Sequence, residues 1–184
     1  MNLANILTVS RIVSVPVIAV LLFRDDQITS AIAAFLFLIA TITDYLDGYL
    51  ARRYQMESDL GKLLDPMADK LLVLTVLVML IPLGRVAAWM VAVIIAREMA
   101  VTALRGIASE KDVVIAASWL GKYKTALQCV AIIPLLIHYP FLTLQFQPAG
   151  EFLLWIAFFF TLWSGWDYIY GYSRYIFKDS LMNN

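Results

Sequence analysis

The chain has 184 residues, 62% of them hydrophobic and only 15% charged, with a formal net charge of zero. A water-soluble domain averages roughly 45–50% apolar and about 25% charged residues, so this composition in long runs points instead to an all-α integral membrane protein. The neutral total argues against a nucleic acid as partner, and a single cysteine, Cys129, excludes an internal disulfide and a cysteine zinc site.

Six apolar runs can be drawn, spanning about 6–23, 29–50, 63–83, 86–105, 118–139 and 150–172. Each is near the ~20 residues that cross a bilayer as a helix, so the expectation is one membrane-embedded domain, 1–184, with six transmembrane helices. The first run lacks a basic head and a small-x-small cleavage pattern, and is expected to remain as a helix. Asn5, Thr8 and Arg11 share one face of it, at i, i+3 and i+6, and are candidates to touch a polar site. The second run ends and the third begins in DYLDGYLARRYQMESDLGKLLDPMADK, residues 44–70. Pro82 and Gly84 predict a tight turn after the third. The fourth carries Arg97, Glu98, Thr102 and Arg105; the fifth carries Ser118, Lys122, Lys124 and Gln128. Cys129 reads as a small packing residue and the lone His138 as an interfacial one. Pro140 and Pro148 bracket a loop before the sixth run, and the residues after Lys178 read as a frayed tail.

Six crossings put both termini on one side. Every Lys and Arg except Arg24 and Arg85 falls on that side, which the positive-inside rule makes cytoplasmic. The aspartate-rich stretch falls there too. Trp89, Trp119, Tyr123, Tyr139, Trp163, Trp166 and Tyr168 lie near run ends and suit the interfacial belt.

Carboxylates clustered at a membrane edge mark a functional site by default. On a helix, Asp44, Asp47, Gly48 and Ala51 form one stripe, at i, i+3, i+4 and i+7; Gly61, Asp65 and Asp69 form another, at i, i+4 and i+8. Two antiparallel helices joined by a short loop can turn these stripes toward each other. Four facing carboxylates repel unless a positive group sits among them, and all-oxygen donors select Mg²⁺, Mn²⁺ or Ca²⁺ over zinc or copper. The small residues Gly48, Ala51 and Gly61 let a diphosphate or nucleotide approach the backbone, and Arg52 can neutralise a phosphate. Metal plus diphosphate implies polarised phosphorus and a stabilised leaving group. Asp69, deepest on its stripe, is the candidate general base toward an alcohol. The bland alternative has the aspartates capping helices or pairing with Arg52, Arg53 and Lys70, which does not call for four carboxylates on two facing stripes.

A second constellation, Arg97, Arg105, Ser118, Lys122 and Lys124, is a candidate pocket for the phosphate of an acceptor, since positive charge on apolar helices is costly and Arg grips phosphate through paired donors. The competing explanation is positive-inside anchoring plus an Arg97–Glu98 ion pair; for Lys111 and Lys124 the two stay open. A divalent-cation transporter is the rival of a different class. It would favour carboxylates near the midplane on discontinuous helices, whereas these lie beside Arg52 and Lys62 at one face.

The pattern D-x-x-D-G-x-x-A-R-x8-G-x3-D-x3-D, complete in Asp44, Asp47, Gly48, Ala51, Arg52, Gly61, Asp65 and Asp69, resembles the signature of the CDP-alcohol phosphotransferase family. The resemblance implies displacement of CMP from a CDP-linked substrate by an alcohol, with Mg²⁺ or Mn²⁺ as cofactor. By family likeness Asp44, Asp47 and Asp65 bind metal, the second and third bridging two ions, while Asp69 closes the carboxylate set and acts as base. The segments NILTVSRIVSVPV, LGKLLDPMADK, IAREMAVTALR and SWLGKYKTALQ are similar to bacterial members that join CDP-diacylglycerol to sn-glycerol 3-phosphate. That similarity implies a bacterial cell-membrane enzyme, a homodimer as is usual in the family, with the donor entering from the inner leaflet. GIASEKDVVIAA and the acidic MESD depart from the pattern outside the motif positions. An acceptor such as inositol phosphate would use the same positive pocket; serine or choline would not need it.

Overall fold

In the computed structural model, residues 3–54, 59–110, 119–140 and 144–182 are described, with side chains for 9–44, 67–108, 119–121, 123–140 and 144–171. The described residues form six α-helices: α1 (Leu3–Leu22), α2 (Gln27–Tyr54), α3 (Asp59–Leu80), α4 (Ala88–Glu110), α5 (Trp119–Ile137) and α6 (Phe146–Met182). The six apolar runs map onto them one to one. The largest difference is α6, which continues well beyond the expected end near residue 172. No proline interrupts the chain after Pro148, and Gly171 alone is too weak a breaker to stop an established helix.

Local signals set the boundaries. Asp26 caps α2: its carboxylate accepts from the amides of Ile28 (3.0 Å) and Thr29 (2.9 Å). The Thr29 hydroxyl in turn donates to the Arg24 carbonyl (2.6 Å). At the end of α3 the amide of Gly84 donates to Ile81 (2.9 Å) and that of Arg85 to Leu80 (3.1 Å), with Gly84 at φ 69°. This is a Schellman motif, and the left-handed residue that it requires is the glycine of the expected turn. His138 is the left-handed residue after α5 at φ 54°; its amide donates to the Pro134 carbonyl (2.9 Å) and its ring nitrogen lies 2.9 Å from Gln147 Oε1.

α1 packs against α2 and α3, α2 against α5, and α5 most extensively against α6, while α4 leans mainly on α6. The close α5–α6 approach depends on Gly150, where a Cβ would come within 2.7 Å of the Leu135 side chain. Ile18, Phe37, Leu77, Leu80, Ile94, Ile132 and Leu136 fill the core. The outer surface is as apolar as the inside: Val20, Phe23, Phe35, Phe152, Phe159 and Trp166 are exposed. Water does not tolerate so continuous an apolar coat, and lipid does. Among the described residues, Gln27–Asp44, Trp119–Ile137 and Phe146–Gly171 are long and apolar enough to cross a membrane; Val9–Leu22 is a shorter apolar stretch. The architecture is that of an all-α membrane protein.

Candidate active site

All eight motif positions lie on two consecutive helices. Asp44, Asp47, Gly48, Ala51 and Arg52 are on the last turns of α2, and Gly61, Asp65 and Asp69 are on the first turns of α3. Helical backbone on both sides gives the two stripes expected from the spacing. The side chains of Asp47, Gly48, Ala51, Arg52, Gly61 and Asp65 lie outside the described residues, as do those of Asn5, Thr8 and Lys122 and the whole of Ser118 and Lys111.

The described carboxylates, Asp44 and Asp69, converge. A single guanidinium, that of Arg11 on α1, has Nη2 2.7 Å from Asp44 Oδ1 and Nη1 3.0 Å from Asp69 Oδ1. Arg11 is only 2% exposed, whereas the two aspartate side chains are 31% and 39% exposed. Two carboxylates drawn from separate helices thus share one buried cation and keep an open side. Among the described residues no group of three or more His, Cys, Asp or Glu gathers as a metal cage. The donor set that is described consists of hard oxygens, which fits Mg²⁺ or Mn²⁺ and not a softer ion.

A second polar layer joins α4, α5 and α6. Lys124, 3% exposed in its side chain, is ion-paired with Glu98, and the same carboxylate oxygen sits 2.6 Å from Arg97 Nη1. Arg97 also donates to the Ser164 hydroxyl (2.8 Å). One carboxylate therefore draws a buried lysine and an arginine together, which the repulsion between them alone would forbid. Arg105 donates to the Tyr168 hydroxyl and lies over its ring, 4.8 Å from the centroid. Lys70, next to Asp69, donates to the Thr102 hydroxyl (2.5 Å), which itself bonds the Glu98 carbonyl (2.7 Å). The aspartate layer and the Arg/Lys layer are thus linked through neighbouring residues of α3.

Two partners, Tyr168 and Ser164, and a second contact of Glu98 were not evident in the sequence. Tyr168 is buried against Arg105 instead of sitting in the interfacial belt. Ser164 holds Arg97, and Glu98 serves Lys124 as well as Arg97. A signal was present: Thr161, Ser164, Gly165 and Tyr168 stand at i, i+3, i+4 and i+7, a polar stripe on an otherwise apolar helix.

Comparison with known proteins points to one family. The profile of the family described as CDP-alcohol phosphatidyltransferase matches residues 1–163. The chain is 42% identical over 180 residues to a Bacillus subtilis CDP-diacylglycerol–glycerol-3-phosphate 3-phosphatidyltransferase, covering 91% of this chain and 93% of the relative. A Rickettsia bellii protein of the same name is 38% identical over 175 residues, covering 95% and 97%. A probable phosphatidylglycerophosphate synthase of Mycobacterium tuberculosis is 46% identical over 134 residues, covering 71% and 64%. With the motif complete on α2 and α3 and the match running through most of the fold, the chain belongs to the CDP-alcohol phosphatidyltransferase family.

Proposed function

We propose that the protein transfers a phosphatidyl group from CDP-diacylglycerol to sn-glycerol 3-phosphate, giving phosphatidylglycerophosphate and CMP. The observation that carries this reading is the complete motif on α2 and α3, with Asp44 and Asp69 drawn to one cation, in a chain like relatives named for that reaction. Asp44, Asp47, Asp65 and Asp69 would hold Mg²⁺ or Mn²⁺, which supplies charge stabilisation at the diphosphate. Gly48, Ala51 and Gly61 leave room for the cytidine diphosphate, and Arg52 neutralises part of its charge. Asp69 accepts the proton of the 1-hydroxyl of glycerol 3-phosphate. The freed oxygen bonds to the β-phosphorus, the bond from that phosphorus to the bridging oxygen breaks, and CMP departs with that oxygen.

Arg105 and Lys122, with Ser118, form the acceptor-phosphate side of the site. Lys124 and Arg97 contribute to it through the charge they share with Glu98. Six membrane crossings, cytoplasmic termini and a site opening to the inner leaflet of the bacterial cell membrane complete the proposal, supported by six helices and by the Lys/Arg asymmetry. The working unit is a homodimer, as the family resemblance implies.

The test is an acceptor panel with purified protein, CDP-diacylglycerol and Mg²⁺ or Mn²⁺ in detergent micelles. CMP release should require glycerol 3-phosphate and yield its phosphatidyl product. Release with inositol phosphate alone would reassign the acceptor, and no CMP release with any alcohol would end the reading.

A further inference from the structure

We propose that Arg11 is the resident counter-cation of the candidate metal site. Its guanidinium holds Asp44 and Asp69 together while no divalent ion is bound, and gives them up when one binds. This rests on the reading of these aspartates as metal ligands.

A buried guanidinium is stable only where anions or other acceptors meet it, and Arg11 meets two carboxylates from two different helices. The contact uses separate arms of the fork, Nη2 toward Asp44 and Nη1 toward Asp69, a geometry that a lysine could not reproduce. α1 packs on both α2 and α3, so the arginine sits where the two carboxylate stripes come together. A divalent ion held by the same carboxylates would carry twice the charge of the guanidinium. The guanidinium and the ion would then repel at short range, so the two occupants compete for the carboxylates. Competition has a definite sign. If Arg11 were only a strut that prearranges the ligands, its loss would weaken metal binding; as a competitor, its loss strengthens it.

The experiment measures Mn²⁺ binding by electron paramagnetic resonance on the full chain in detergent, with no substrate, for the wild type and Arg11→Gln. The expected result is roughly tenfold tighter Mn²⁺ binding by Arg11→Gln. Its melting temperature in EDTA should fall below that of the wild type, and the gap should close as Mn²⁺ saturates. Equal or weaker Mn²⁺ binding by Arg11→Gln overturns the proposal. Should that variant fail to fold, the wild type carries the test through labelling of Arg11 by phenylglyoxal, read by mass spectrometry. Arg11 should be protected in EDTA and several-fold more reactive with Mn²⁺; equal labelling overturns the proposal. A wild type that binds no Mn²⁺ removes the metal reading and this inference together, whereas normal binding unaffected at Arg11 removes only the inference.

Discussion

Two buried arginines at opposite ends of the bundle differ in the acceptors that hold them. Arg85 is fully enclosed, and its donors go to Asp25 (2.6 Å), the Ser30 hydroxyl (3.0 Å) and the carbonyls of Leu136 (2.8 Å) and Leu135 (3.3 Å). The carbonyls belong to the last turn of α5, where the helix dipole is negative and lacks internal donors. Tyr139 adds its hydroxyl to the Asp25 carbonyl and its ring face to the guanidinium. Gln147 donates to the Arg85 carbonyl (3.1 Å). Arg85 therefore ties the loops before α2, α4 and α6 to the end of α5. Arg11 is buried to the same degree, but its described acceptors are two carboxylates that both belong to the reaction motif, whereas Asp25 lies outside it. The first arginine sits away from the motif; the second, under the proposal above, would give up its acceptors to a metal ion.

The contrast can be broken at several points. The largest effect is expected for Asp69→Asn, which should lower kcat by about 10²–10⁴-fold, the range for loss of a general base. Near-normal turnover with intact Mn²⁺ binding would remove Asp69 as the base. Arg85→Ala should do the opposite. Leaving the buried Ser30 hydroxyl and the Leu136 carbonyl without their donor should cost on the order of 1–3 kcal/mol of stability, read by thermal or denaturant unfolding in detergent, while the folded fraction keeps its KM values. If the stability of Arg85→Ala matches the wild type, the opposite end is not the anchor described above. Glu98→Gln lies between the two classes. It should destabilise by roughly 3 kcal/mol by leaving Lys124 uncompensated, and also raise the KM for glycerol 3-phosphate more than that for CDP-diacylglycerol. Equal changes in both KM values would make the Glu98 layer purely structural.

The smallest effect concerns the Asp26 cap of α2. The hydrogen bond from the Thr29 amide lowers the Asp26 carboxyl below its ordinary 3.8, against a smaller opposing effect of burial. Because the folded carboxyl is the stronger acid, the cap's contribution is fully present above the unfolded value. It is lost as pH falls through the lower, folded one. Asp26→Ala should therefore lower the melting temperature slightly at pH 7 and hardly at all near pH 2. A difference that persists unchanged at low pH would point to something other than the ionised cap.

The placement of the reaction motif was legible because its spacing is helical on both sides, and all eight positions lie on α2 and α3. The turn at Gly84 was legible as well, since few residues other than glycine take a left-handed backbone there without cost. Partner choice in the second layer was not. Glu98 lies next to Arg97 in the chain, which suggested that pair, but the rotation of α4 against α5 also brings in Lys124, and no spacing within one helix reports a rotation between two. Tyr168 misled because an aromatic near a helix end fits the interfacial belt equally well; only the neighbouring Arg105 distinguishes the two. Arg11 could be placed on a face with Asn5 and Thr8, yet its double contact depends on how α1 meets two other helices.

The length of α6 has a consequence for sidedness. At about 1.5 Å per residue, a helix of 37 residues reaches roughly 55 Å, against a hydrocarbon layer of about 30 Å. Fitting it inside would take a tilt near 57°, far beyond the ~20° average. One end must then stand in water. Since Ser173, Arg174, Lys178, Asp179 and Ser180 make its last turns polar, the overhang is the carboxy-terminal end of α6, on which a protease site or fluorescent tag reports directly which aqueous compartment that end occupies.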